Sequence, residues 1–135
     1  MWDFASDIDT HIVFSAAGDY PTLEALAAMS LVRKFAPAIR MRFVNITSLS
    51  ALGMGNTQCR VLRHDFDHYF TEEKPVIINF HGYPQTIKQI LFDYVQHPKR
   101  FTIHGYEESG STTTPFDMMV RNRVDRFHLA MEAFA

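Results

Sequence analysis

Cysteine is nearly missing from this chain of 135 residues, with Cys59 the single instance. No disulfide can close within one copy. That fits a reducing compartment and excludes the small stapled folds of secreted proteins. A surplus of one charge is also lacking. Thirteen Lys and Arg stand against fifteen Asp and Glu, a net charge of −2 with histidines neutral, so the concentrated basic face of a nucleic-acid-binding protein is not expected. No apolar run approaches the roughly 20 residues of a membrane helix. The opening Met-Trp-Asp-Phe-Ala-Ser-Asp lacks the basic start and apolar stretch of a signal peptide. A cytoplasmic location is therefore expected, with no membrane partner. The GxSxG, Walker A and GxGxxG motifs are absent too.

What is present suffices for a core: 47% of the residues are hydrophobic, and the length suits one domain spanning 1–135. Four apolar runs read as strands, at His11–Ala16, Ile39–Ile46, Pro75–Phe80 and Arg100–Tyr106. The first and third are almost continuously apolar, as inner strands of a parallel sheet covered on both faces must be. Helical patterns alternate with them. One runs from Pro21 to Phe35, one from Pro84 to Val95, and a short one covers Asp65–Phe70. The last pattern starts at Pro115 and continues to the end as one helix, with Phe116, Val120, Val124, Phe127, Met131 and Phe134 recurring at steps of three and four. The alternation predicts an α/β fold with a mainly parallel sheet. The arginines at 121, 123 and 126 are interleaved with Asp117 and Asp125 at helical spacing, which predicts a solvated, internally paired face.

Three strands end alike, in Gly18-Asp19-Tyr20-Pro21, His81-Gly82-Tyr83-Pro84 and His104-Gly105-Tyr106. Glycine permits a sharp turn, and proline suits the first turn of the helix that follows. A strand-to-helix turn explains these residues. A ligand crevice beyond the carboxyl ends of the strands would use the same ones, with Gly18, Asp19, His81, Gly82 and Tyr83 on its border. The hydroxyl-rich stretch Ser111, Thr112, Thr113 and Thr114 before Pro115 admits two readings, a helix cap or an anion site on free N–H groups. The cap is the better reading. His64 and His68 have the i, i+4 spacing of a helical metal pair, but no third ligand is suggested, so no metal is expected. His128 beside the apolar stripe reads as structural. No catalytic constellation is recognisable from the residues alone.

The blocks Val13-Phe-Ser-Ala-Ala-Gly-Asp-Tyr-Pro-Thr-Leu-Glu-Ala-Leu, Lys74-Pro-Val-Ile-Ile-Asn-Phe-His-Gly-Tyr-Pro and His104-Gly-Tyr-Glu-Glu-Ser-Gly-Ser-Thr-Thr-Thr-Pro-Phe-Asp-Met resemble the C-terminal region of phosphoketolases. Trp2-Asp-Phe-Ala-Ser and Asp125-Arg-Phe-His-Leu-Ala resemble it as well. The resemblance implies a three-layer α/β/α fold like the transketolase C-terminal domain, with a mixed, mostly parallel sheet carrying one antiparallel strand. It implies a fragment of an enzyme that cleaves xylulose 5-phosphate, or fructose 6-phosphate, with phosphate to acetyl phosphate and an aldose phosphate. Thiamine diphosphate and a divalent ion such as Mg would be bound by upstream domains of the same polypeptide. No Gly-Asp-Gly followed by paired asparagines, the family's metal-diphosphate signature, occurs here. No catalytic residue and no cofactor are therefore assigned to this piece. Its implied role is packing and homo-oligomeric assembly. Two further readings stand beside this one: a regulatory module for a nucleotide or anionic metabolite, and a free-standing enzyme using His81 with a nearby acid.

Overall fold

A computed structural model describes residues 1–54, 60–108, 110 and 113–135. Its strands are β1 (Ile12–Ala17), β2 (Met41–Asn45), β3 (Val76–Phe80) and β4 (Phe101–Gly105). Between and after them lie helices α1 (Asp19–Phe35), α2 (Arg63–Phe70), α3 (Pro84–Leu91), α4 (Pro115–Arg121) and α5 (Arg126–Glu132). All four predicted runs are strands. They form one sheet of order β2-β1-β3-β4, parallel at every pairing. The antiparallel strand implied by the resemblance is not among them, because each strand that precedes another is followed by a helical crossover that returns the chain in the same direction.

Burial follows from strand position. Every residue of β1 and β3 is buried, whereas Phe101 to His104 of the edge strand β4 are only partly so. Alternation sends successive side chains to opposite faces. On one face Phe14, Phe43 and Ile77 pack with Ala28, Met29 and Val32 of α1 and Leu129 of α5. On the other, Val13, Val76, Ile78 and Phe80 pack with Phe66 and Phe70 of α2 and Ile87 and Leu91 of α3. The result is the expected three layers. A fully buried phenylalanine such as Phe14 contributes on the order of 3 kcal/mol through removal from water. The outer edge of β2 is covered by the N-terminal segment: the Trp2 and Asp7 amides donate to the carbonyls of Phe43 and Met41 at 3.1 and 2.7 Å. Ser6 Oγ and Asp7 Oδ2 accept from the amides of the same two β2 residues.

Three expectations need correction at the C-terminal end. The single helix from Pro115 onward is two helices, because Arg123 sits at φ 58° and Asp125 is extended. The Asp125 carboxylate caps α5, accepting from the amides of Phe127 and His128 at 3.0 and 3.3 Å. The apolar stripe does not mark the core face either. Val124 is buried, but Phe127, Met131 and Phe134 lie more than half exposed, while Leu129 and Ala130 take the interior. Nor is the arginine-rich stretch a solvated face throughout. Arg126 reaches across to buried Glu24 of α1, and Asp125 is itself buried. Among the described residues no helix is long and apolar enough to cross a membrane.

Candidate functional site

The chain leaves β1 toward β2 on one side, and β3 lies on the other side of β1. Strand order therefore reverses between β1 and β3, and a crevice opens at their carboxyl ends. A cavity of about 520 Å³ occupies it, lined by Gly18, Asp19, Tyr20, His81 and Tyr106. The three related strand ends thus meet in space. Gly18 has φ 110°, and a Cβ there would stand 2.6 Å from His81 Nδ1, so glycine is required by both the backbone and the close approach. The His81 ring is fixed by Nδ1–H donating to Ala17 O at 3.0 Å, since a carbonyl can only accept. Tyr20 meets Tyr106 edge to face at 6.3 Å between ring centres. The Tyr20 hydroxyl is buried, with no hydrogen-bond partner among the described residues. Burial, with Tyr106 adding to it, pushes its pKa up to about 12, so it stays a neutral phenol at neutral pH.

The crevice suits a neutral or aromatic group better than a phosphate. Among the described residues no lysine or arginine lines it, and Asp19 adds a carboxylate. His81 directs its Nδ1 to a main-chain carbonyl and not to an acid, so the pairing needed for a free-standing acid–base enzyme is not formed through that nitrogen. Gly82 and Tyr83 stand beside the crevice rather than in its lining: Gly82 O accepts from the Tyr106 amide at 2.9 Å, and Tyr83 is the exposed residue before α3. On the hydroxyl-rich stretch, Ser111 and Thr112 lie outside the described residues. Thr114 caps α4 by accepting from the Asp117 amide at 3.2 Å, and Thr113 Oγ1 donates to Asp117 Oδ2 at 2.9 Å. These two threonines hold the Asp117 carboxyl below its usual range. The first turn of α4 already carries its own anion, which supports the cap.

A second polar cluster was not legible beforehand. Asn79, wholly buried in β3, donates through Nδ2 to Pro21 O and Val124 O at 3.3 and 3.0 Å, tying α1 and the α4–α5 connection to the sheet. Beside it in the β3–β4 register is His104, whose Nε2 lies 3.7 Å from Glu132 Oε1. Glu132 also pairs with Arg123. The His128 ring bonds the Asp125 carboxylate, in keeping with a structural role. The one advance signal was an asparagine inside an otherwise apolar strand run.

Thiamine diphosphate, if held by this domain, would need metal-ligating or cationic side chains for its phosphates. Among the described residues no group of three His, Cys, Asp or Glu could hold a metal ion. His64 is exposed and pairs with Asp65, while the ring of its helical partner His68 packs on Tyr69. In the crevice Asp19 is joined by His81 alone among possible ligands in the lining, and that donor set does not fit a metal-bound diphosphate.

The family described as the XFP C-terminal domain matches residues 1–135. A "Probable phosphoketolase 2" of Rhizobium meliloti (strain 1021) is 46% identical over 133 residues, covering 96% of this chain and 17% of the relative. A "Xylulose-5-phosphate phosphoketolase" of Lactiplantibacillus pentosus is 46% identical over 125 residues, covering 92% of this chain and 16% of the relative. The chain thus spans about a sixth of the length of the curated relatives it matches. Among solved structures, a "Split gene transketolase, inactive beta4 tetramer" superposes with a TM-score of 0.64 at 16% identity, over 96% of this chain and 39% of that one. At that identity the likeness concerns the fold.

Proposed function

Since the chain belongs to the family of XFP C-terminal domains, we propose that it forms one domain of a longer cytoplasmic phosphoketolase polypeptide, where it packs against upstream domains and contributes to homo-oligomeric assembly without doing chemistry itself. In that enzyme the upstream domains hold thiamine diphosphate and a divalent ion. The whole polypeptide splits xylulose 5-phosphate, or fructose 6-phosphate, with phosphate to acetyl phosphate and an aldose phosphate. The observation that carries the packing role is the outward ridge of Phe127, Met131 and Phe134. Three large apolar side chains at helical spacing form a face with no counterpart in this domain's own core, and such a face is typical of one covered by a further part of an assembly. The test compares this chain with the polypeptide that contains it, each supplied with xylulose 5-phosphate, phosphate, thiamine diphosphate and Mg. Acetyl phosphate is expected from the longer protein only. Turnover by the pure 135-residue chain would overturn the reading.

A second reading, a small-molecule regulatory module, draws on the cavity that joins Gly18, Asp19, Tyr20, His81 and Tyr106. Calorimetry of the longer protein with phosphate, ATP and phosphoenolpyruvate tests it; since no lysine or arginine among the described residues lines the crevice, the adenine ring of ATP is the group it would take. Heat that disappears in Tyr106→Ala would support the module, and no heat from any of the three would remove it.

A further inference from the structure

The segment beside β2 runs in the opposite direction to that strand. Trp2 N–H donates to Phe43 O and Asp7 N–H to Met41 O, so rising numbers in the segment meet falling numbers in β2. Trp2 and Ser6 are both extended, with the short turn Asp3–Ala5 between them. Within β2, alternate residues serve β1. Arg40 O accepts from Ile12 N–H, and Ile46 N–H donates to Ala16 O at 2.8 Å. Met41, Phe43 and Asn45 therefore turn their N–H and C=O groups to the outer edge. The first two are bonded there on both groups, their amides by Asp7 Oδ2 and Ser6 Oγ. That cover ends at Phe43. Among the described residues nothing bonds the outward N–H or C=O of Asn45. Beside it lies a groove of about 500 Å³ whose lining includes Trp2, Asp19, Leu23, Asn45 and Ile46, with Leu23 66% exposed.

We propose that, in the longer polypeptide, the residues leading into Met1 continue this antiparallel course as an added edge strand on β2, with the residue directly before Met1 opposite Asn45. This deepens the packing role proposed above and rests on it. The register follows from the Trp2–Phe43 bond. Opposed residues of an antiparallel pair have numbers of constant sum, so Met1 stands against Val44 and the residue before it against Asn45. Bonding groups alternate along such a strand. The residue before Met1 therefore faces β2 as Trp2 does, and exchanges both main-chain bonds with Asn45. Its side chain falls on the same face as Trp2 and Asn45, over the groove. A slip of one residue would turn its bonding groups away from β2. Direction and tether favour this occupant over any other strand. A free strand meets the edge by collision, whereas this one is tied two residues from a bond already made, which corresponds to an effective concentration on the order of millimolar. The relatives are about six times as long as this chain, and on its reading as a C-terminal domain most of that length precedes Met1. An edge so covered no longer templates pairing with a foreign chain.

The test uses the longer polypeptide, carrying Asn45→Cys and a cysteine in place of the residue directly before Met1. Mild oxidation is expected to join the two thiols within one copy, identified by peptide mass, since opposed Cα atoms of a bonded pair lie about 5.5 Å apart, inside disulfide reach. Thr47→Cys in place of Asn45→Cys is expected to slow the bond about tenfold, because its thiol is then a diagonal neighbour. If the double variant fails to fold, hydrogen exchange of the unaltered polypeptide, read residue by residue, gives the answer. The Asn45 amide is then expected to exchange within about tenfold of the Ile46 amide, which β1 holds. An Asn45 amide faster than that of Ile46 by about a hundredfold would overturn the added strand. So would a folded, active double variant with no disulfide, equal rates for positions 45 and 47, or a disulfide between two copies. Turnover separates the two claims: an active polypeptide without the cross-link sinks the strand alone, whereas an inactive wild-type polypeptide sinks the reading on which it rests.

Discussion

The contact between Glu24 and Arg126 allows an asymmetric prediction. Glu24 Oε2 accepts from the Arg126 backbone amide at 2.8 Å and from its Nε at 3.0 Å, and Oε1 accepts from Nη2 at 2.7 Å. The glutamate side chain is 8% exposed and the arginine 43%. Arg126→Met strips the guanidinium from a buried carboxylate, leaving it one main-chain amide. Breaking a buried pair from that side costs about 3–5 kcal/mol, and the surviving amide brings the expected loss to about 2–4 kcal/mol. Glu24→Gln leaves a half-exposed guanidinium free to turn into water, for a loss of about 1–2 kcal/mol. The double variant falls short of the sum of the two, with a coupling on the order of 1–2 kcal/mol. Urea denaturation, with midpoints and slopes fitted for all four proteins, measures each quantity. Equal losses, or a larger one for Glu24→Gln, would refute the view that α5 is seated by a buried carboxylate.

Three other outcomes follow from the same geometry. A Cβ at Gly105 would stand 2.3 Å from Gly82 O and 2.5 Å from Pro84 Cδ; Gly105→Ala is therefore expected to break the Tyr106–Gly82 hydrogen bond and lower stability by about 2–4 kcal/mol in urea. Burial lowers the pKa of His104, with Glu132 opposing and Arg123, His128 and Asp125 nearby. Below the ordinary histidine range the unfolded chain then binds more protons than the native one, so stability is full above that range and falls as pH drops from about 6.5 toward the depressed value. His104→Gln should flatten this slope, and an unchanged slope in the variant would refute the assignment. Finally, Phe127→Ser with Met131→Ser should move the stability of the isolated chain by no more than about 1 kcal/mol, since both residues are exposed. The same pair should lower the thermal midpoint of the longer polypeptide.

The sheet was readable because fully buried strands need continuous apolar runs, and β1 and β3 supply them. Pro84 and Pro115 marked true helix starts for the reason that proline fits a first turn. Pro21 placed the start of α1 two residues late, since the third helical position tolerates it equally. The C-terminal region was the least legible. Its apolar period runs through residues 122–125 without interruption, and periodicity records only that one face is apolar, not whether that face meets its own core or something outside the domain. Asp125, a capping residue immediately before Arg126, was the available sign of the break. Of the residues singled out at the strand ends, Gly18, Asp19 and His81 line the crevice and Gly82 and Tyr83 do not, because a shared turn sequence marks where the strands end but not which side chains face the cavity. The partners of Glu24 and Asn79 lie dozens of positions away, a separation that local patterns do not encode.

The central claim is that this domain supports a cofactor site built elsewhere in a longer protein. Calorimetric titration of thiamine diphosphate with Mg into the 135-residue chain and into the polypeptide containing it tests that claim directly. Saturable heat is expected for the longer protein and none for the chain alone; stoichiometric binding by the isolated chain would contradict that claim.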